Sequence, residues 1–335
     1  MEKNKREMKT KSTNKKRWIA AGLALLVFLI SMFSQDNVES KKEDLRNQAL
    51  GNLGMSEENT LFGTNPLEKI LVVNVDGVIA SDESNDFVVE ELDKAAIDDT
   101  IAGVILHINS PGGSVYASER IADKVKKIQE KDKPVYSVMQ ELAASGGYYI
   151  SAPCDKIYAS NETWTGSIGV IMQSYSLEGL FDKYGIKEQN ITTGKMKDAG
   201  SPGSDMGKEE KEYFQGLVDS AFSRFVKVVA DGRDMKESEV RKLADGRVYD
   251  GSQAKENGLV DTIGDLELAA KNMAESYKLN DPMVVEKDEL MSSFSKYFSG
   301  FKSKTNAPKS DLEMLDKFMK ENNNLPMYLY GGYNE

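Results

Sequence analysis

One cysteine and one histidine in 335 residues remove much of the chemistry that a sequence can display. With only Cys154 there is no intrachain disulfide and no cysteine-rich metal site. With only His107, most metal sites are excluded and at most one imidazole is left for acid–base work. The phosphate-cradling patterns G-x-x-x-x-G-K-[ST] and G-x-G-x-x-G are both absent. No metal and no cofactor is therefore expected. Acidic residues outnumber basic ones outside the first 17 residues. Those carry eight Lys/Arg against two Glu, which leaves −17 on the remainder of a chain whose net charge is −11. Such a balance argues against nucleic acid and against docking on an anionic lipid surface.

The uncharged run Trp18–Ser34, "WIAAGLALLVFLISMFS", follows that basic segment. Its 17 residues are at the short end of what crosses a bilayer, and the bulky Met32-Phe33 stands where signal cleavage wants small residues. The pattern reads as a retained signal anchor, a cleaved signal peptide being the alternative. The basic flank stays cytoplasmic, so the rest is expected outside the cytoplasm on a single-pass membrane protein. The expected order is a basic cytoplasmic segment (1–17), a transmembrane anchor (18–34), a polar stalk (35–68), an α/β domain (69–280) and a C-terminal extension (281–335).

Within 69–280, apolar runs such as Ile70–Val75, Ile101–Ile108, Pro134–Met139 and Lys156–Ala159 alternate with amphipathic segments at Phe87–Ile97 and Ala117–Glu130. That alternation predicts parallel βαβ units with helices flanking the sheet. Past Gly200 the chain becomes helical, with one long amphipathic helix over Glu209–Gly232. Leu290–Phe301 and Ser310–Lys320 are weaker amphipathic segments, and the chain ends "LPMYLYGGYNE".

Four stretches carry candidate chemistry. In "ELAASGGYY", Ser145 follows an apolar run and precedes two glycines; it is either a nucleophile on a strand-to-helix turn or a small residue at a tight packing point. "NSPGGS" at 109–114 also joins a strand to a helix, and its glycine amides suit a phosphate or a developing oxyanion. His107 lies inside the preceding strand, so a Ser-His-Asp triad is disfavoured and a serine hydrolase would need a lysine base. "GKMKDAGSP" at 194–202 offers Lys195 and Lys197, which share strand parity and which periodicity cannot separate. Ser167, in "TGSIG", has a hydroxyl suited to holding a neutral lysine amine, though such a sequence is also an ordinary tight turn.

In order, "INSPGGSV", "AASGGYYIS", "TGSIGVI", "GKMKDAGSP" and "GRVYDGSQAKENGLVDTIG" resemble the signal peptide peptidase A (SppA, protease IV) family of serine proteases over roughly residues 69–280. The resemblance implies a Clp protease/crotonase-like fold of repeated ββα units. It implies Ser145 as nucleophile, Lys197 as general base and Ser167 as the hydroxyl that orients the lysine. It further implies an oxyanion hole from the backbone of Gly112, Gly113 and Gly146, and cleaved signal peptides and other apolar peptides as substrates. Longer relatives hold two copies of the fold and this chain holds one, so the resemblance implies a homo-oligomer whose active sites are shared between protomers. The apolar tail is expected either to enter an active site as a substrate or to pack on the domain. A Clp-like peptidase fed by an ATPase, a crotonase-type acyl-CoA enzyme and a noncatalytic membrane scaffold of the same fold are the alternatives.

Overall fold

The computed structural model describes residues 58–287 and 327–329. All but Glu58 and Asn59 of these belong to one compact unit. The anchor at 18–34 and the segments at 290–301 and 310–320 lie outside the described residues; among the described ones, no helix is long and apolar enough to cross a membrane.

The sheet is built on β1 (Glu58–Phe62), β2 (Asn65–Asp76), β3 (Ile101–Ser110), β5 (Val135–Ala144), β6 (Lys156–Ala159), β9 (Thr262–Ile263) and β10 (Pro282–Lys287), in the spatial order β1-β10-β2-β3-β5-β6-β9. A short β7 (Trp164–Gly166) continues the far end of β5, and β8 (Val248–Asp250) pairs with it antiparallel. The pairs from β10 to β9 are all parallel. The intervening helices are α1 (Glu83–Ile97), α2 (Val115–Gln129), α3 (Gly146–Ser151), α4 (Glu178–Tyr184), α5 (Lys208–Arg233), α6 (Glu237–Leu243), α7 (Gly251–Glu256) and α8 (Leu266–Tyr277).

Strand parity sorts the core into two layers. Leu71, Val73 and Val75 of β2 face one way and pack with Leu92 of α1, Ile121 and Val125 of α2, Ile150 of α3 and Phe225 of α5. Ile70 and Val72 face the other way, with Ile105, Tyr136 and Tyr158, and are covered by Ala269, Ala270 and Met273 of α8. Each fully buried Ile or Val in these layers contributes about 1.5–3 kcal/mol of burial. Side-chain caps set the helix starts: Asp82 accepts from the Asn85 amide, Asp265 from that of Leu268, and Asp250 forms a capping box with Gln253. The mixed α/β sheet and its flanking helices match the expected Clp protease-like class. A strand, a short second strand and a helix succeed one another at β3, β4 (Gly112–Ser114) and α2.

The ordered fold begins earlier than the sequence boundary at 69. Residues 58–62 and 65–68, expected in the stalk, form β1 and the start of β2. Their side chains are exposed or half-buried, Leu61, Phe62 and Leu67 included, so no buried apolar run marks them as strand.

Candidate active site

Ser145 stands where β5 ends and α3 begins. Its backbone angles, φ 54° and ψ −112°, match the first central position of a type II′ turn, where glycine is the usual residue. Hydrogen bonds on both sides hold it there: the Ser145 amide donates to the Gly166 carbonyl at 2.8 Å, and the Tyr149 amide donates to the Ser145 carbonyl at 2.8 Å. The hydroxyl is buried and finds no hydrogen-bond partner among the described residues. A strained backbone carrying an unsatisfied nucleophile type is a recurrent feature of functional sites.

The glycine corner at Gly112 and Gly113 lies against that turn. Gly112, at φ 97°, donates its amide to Ser110 Oγ at 3.1 Å and accepts at its carbonyl from the Ile79 amide at 2.8 Å. Its N–H is thus engaged inside the loop. The approach is close enough to demand glycine. A Cβ on Gly146 would sit 3.0 Å from the Gly113 nitrogen and 2.7 Å from Ser118 Oγ, and one on Gly112 would sit 2.4 Å from the Gly146 nitrogen.

Ser167 joins this constellation through the backbone. The preceding Gly166 carbonyl holds Ser145, while the Ser167 amide, at φ 48°, donates to Arg247 at 2.8 Å. Ser167 is only 5 % exposed. The lysines are elsewhere. Lys197 is exposed on a turn closed by its own amide to the Gly194 carbonyl at 3.1 Å, and Lys195 pairs with Glu209. Ser145, Ser167 and the glycines are brought together within one chain; Lys197 is not joined to them by any hydrogen bond among the described residues. The lysines also sit in turn rather than strand, so parity has no bearing on which one is used.

His107 is a structural imidazole. Its Nδ1 lies 3.1 Å from Asn74 Oδ1 and 3.3 Å from Gln140 Nε2, in a row continued by Asn74 Nδ2 donating to Glu286 at 3.3 Å. Burial lowers its pKa, opposed by the charges of Asp76 and Glu286.

Sequence reasoning left the tail open between substrate and packing strand. Its residues Met327–Leu329 form β11, antiparallel to β4 with Tyr328 opposite Gly113. On its other edge Met327 exchanges two backbone hydrogen bonds with Ile171, at 3.0 and 2.9 Å. The fully buried Tyr328 ring stacks on Tyr149 at 4.8 Å and tilts against Phe225 at 4.6 Å, and its hydroxyl donates to the Ala221 carbonyl at 3.0 Å. This aromatic pocket between α3 and α5 escaped the sequence reading, although "SGGYY" and "FSRF" contain both walls.

A serine on a strained strand-to-helix turn, glycine amides beside it and an extended segment against those glycines define a Clp-type α/β protease domain. The comparisons agree. The family model for peptidase family S49 matches residues 127–280, and that for Clp protease matches 63–161. A candidate signal peptide peptidase SppA of Enterococcus faecium is 40% identical, covering 95% of this chain and 99% of its own length. A candidate protease of Methanocaldococcus jannaschii is 39% identical over 70% of this chain and 78% of its own. Protease 4 of Haemophilus influenzae is 40% identical over 62% of this chain but 34% of its own length. The chain belongs to the signal peptide peptidase A (SppA, protease IV) family, peptidase family S49, and is a serine protease.

Proposed function

We propose that this protein is a membrane-anchored endopeptidase with a Ser145/Lys197 dyad, degrading remnant signal peptides and other short apolar peptides. The observation that carries the reading is the tail strand. A peptide backbone lies in the groove between β4 and Ile171, beside Ser145, with an aromatic side chain in a closed apolar pocket. An extended apolar substrate fits the same groove by main-chain pairing, with the pocket selecting side chains.

In the proposed reaction Ser145 Oγ attacks the scissile carbonyl carbon as Lys197 Nζ takes its proton. The carbonyl oxygen becomes an oxyanion facing the Gly113 and Gly146 amides. Lys197 then gives the proton to the leaving amine, and the C–N bond breaks. Water, deprotonated by the now neutral Lys197 Nζ, attacks the acyl carbonyl carbon; the ester C–Oγ bond breaks, and Nζ returns the proton to Ser145 Oγ. Ser167 orients the lysine. In support of a base supplied by a neighbouring protomer, Lys197 is exposed on its own chain, within a stretch whose Tyr175, Leu180, Tyr184, Ile186 and Ile191 side chains are exposed and apolar. The run 18–34 anchors the protein, with the catalytic domain outside the cytoplasm.

The test is cleavage of an apolar fluorogenic peptide by the full-length protein in detergent, beside Ser145→Ala, Lys195→Ala and Lys197→Ala. Loss in the first and third variants alone is expected. Activity surviving Ser145→Ala overturns the nucleophile assignment, and an inactive wild type returns the protein to the scaffold reading. Mass spectrometry of wild type and Ser145→Ala addresses the tail as a self-substrate: identical intact C-termini remove that idea.

A further inference from the structure

Ser118 stands in the first turn of α2 and is 0 % exposed, and its Oγ has no hydrogen-bond partner among the described residues. Of the three buried side-chain atoms in that condition, one is Ser145 Oγ, and the third, Glu91 Oε2, lies 2.8 Å from Lys287 Nζ. Ser118 alone is without an explanation. A buried hydroxyl left unpaired destabilises a fold, and an alanine of nearly the same shape would remove the penalty. Serine here is also unnecessary for the helix, whose N-cap is Ser114.

Its location is specific. Ser118 Oγ is the nearest atom to the point where a Gly146 side chain would begin, at 2.7 Å, with the Gly113 nitrogen at 3.0 Å from the same point. The hydroxyl therefore packs close to Gly146, on the side where β4 and its Gly113 approach α3.

We propose that Ser118 is a positioning residue for acyl transfer, resting on the reading of Ser145 as nucleophile. Its oxygen fixes the spacing between the Gly113 and Gly146 amides. Its unengaged O–H dipole is free to turn as charge develops on the substrate oxygen. A donor idle in the ground state and oriented in the transition state lowers the barrier without tightening substrate binding.

Full-length Ser118→Ala is compared with wild type and Ser145→Ala in detergent. The measurements are kcat and KM on the apolar peptide, affinity for a peptide aldehyde that adds to the serine, affinity of the matching peptide amide for Ser145→Ala with and without Ser118→Ala, and thermal midpoint. Expected for Ser118→Ala are a kcat lowered about tenfold or more with KM unchanged, an equal loss of aldehyde affinity, unchanged amide affinity and a midpoint equal to or above wild type. Unchanged kcat, a matched loss in amide affinity, or a lowered midpoint overturns the proposal. An inactive wild type removes the reading of Ser145 and this proposal with it, whereas an active wild type, silenced by Ser145→Ala and matched by Ser118→Ala, removes this proposal alone.

Discussion

Replacing the serine at the strand-to-helix turn should make the protein more stable as it makes it inactive. Two penalties meet at residue 145. The backbone occupies φ 54°, ψ −112°, a region that disfavours a Cβ and costs about 1–3 kcal/mol. The buried hydroxyl without a partner among the described residues costs about 1–3 kcal/mol more. Ser145→Ala removes only the second, and some of that gain is lost to the small void it leaves. Ser145→Gly removes both, offset by about 0.4–1 kcal/mol for the greater freedom of glycine in the unfolded chain. The expected order is therefore glycine above alanine above serine, in steps of roughly 1 kcal/mol.

For a domain of this size, about 1 kcal/mol moves the thermal midpoint by about 2–4 °C. Ser145→Ala should melt about 2–4 °C above wild type and Ser145→Gly about 4–8 °C above it, measured on full-length protein at one concentration and detergent composition. Both should be inactive on the apolar peptide. Midpoints at or below wild type would refute the claim that function holds strain at this turn. Glycine below alanine would refute the backbone part of it specifically.

Mixing Ser145→Ala and Lys197→Ala chains should restore some activity, since each supplies what the other lacks; no activity in any co-assembled mixture refutes sites shared between protomers. Gly113→Ala should lower kcat/KM by about 100-fold or more and lower the midpoint, because its Cβ would sit 2.0 Å from the Ile79 carbonyl oxygen and force β4 to shift. Wild-type activity in Gly113→Ala would sink the assignment of that amide. His107 has its folded pKa depressed below 6.5 by burial, so the unfolded chain binds the extra proton and stability falls as pH drops through 6.5. His107→Gln should flatten that part of the midpoint-versus-pH curve, leaving any contribution from Asp76, whose burial raises its pKa, in place. A wild-type curve with no slope there that His107→Gln changes would contradict the sign.

The turn around Ser145 was legible because its demands are local. A turn that takes Ser145 to positive φ between closely approaching strands requires Gly112, Gly113 and Gly146 around it, and those residues are contiguous in "SPGGS" and "ASGGYY". Elements with a clear period were likewise readable: the helix drawn over 209–232 is Lys208–Arg233, and the strand drawn over 156–159 is reproduced at both ends. What failed to show was set by contacts far apart in sequence. β8 escaped the sequence pattern, because three residues have no periodicity and Val248–Asp250 is a strand only through its pairing with β7. The polar stretch 58–68 resembled a linker because burial enters β2 only from about Lys69 onward.

The lysine is the instructive case, because the resemblance implies it and its own chain leaves the assignment unexplained. A general base needs an amine that is neutral at working pH, which ordinarily means one withdrawn from water. Lys197 is in water, on a turn preceded by α4, none of whose side chains is buried. Ser145, in contrast, is buried, strained and without a partner among the described residues. The two groups have complementary deficits. A second copy of the chain that buries the apolar stretch from Tyr175 to Ile191 would desolvate the amine and fill the empty hydroxyl in one step. On that argument nucleophile and base stay apart on the isolated chain, and proteolytic activity should appear with assembly rather than with folding.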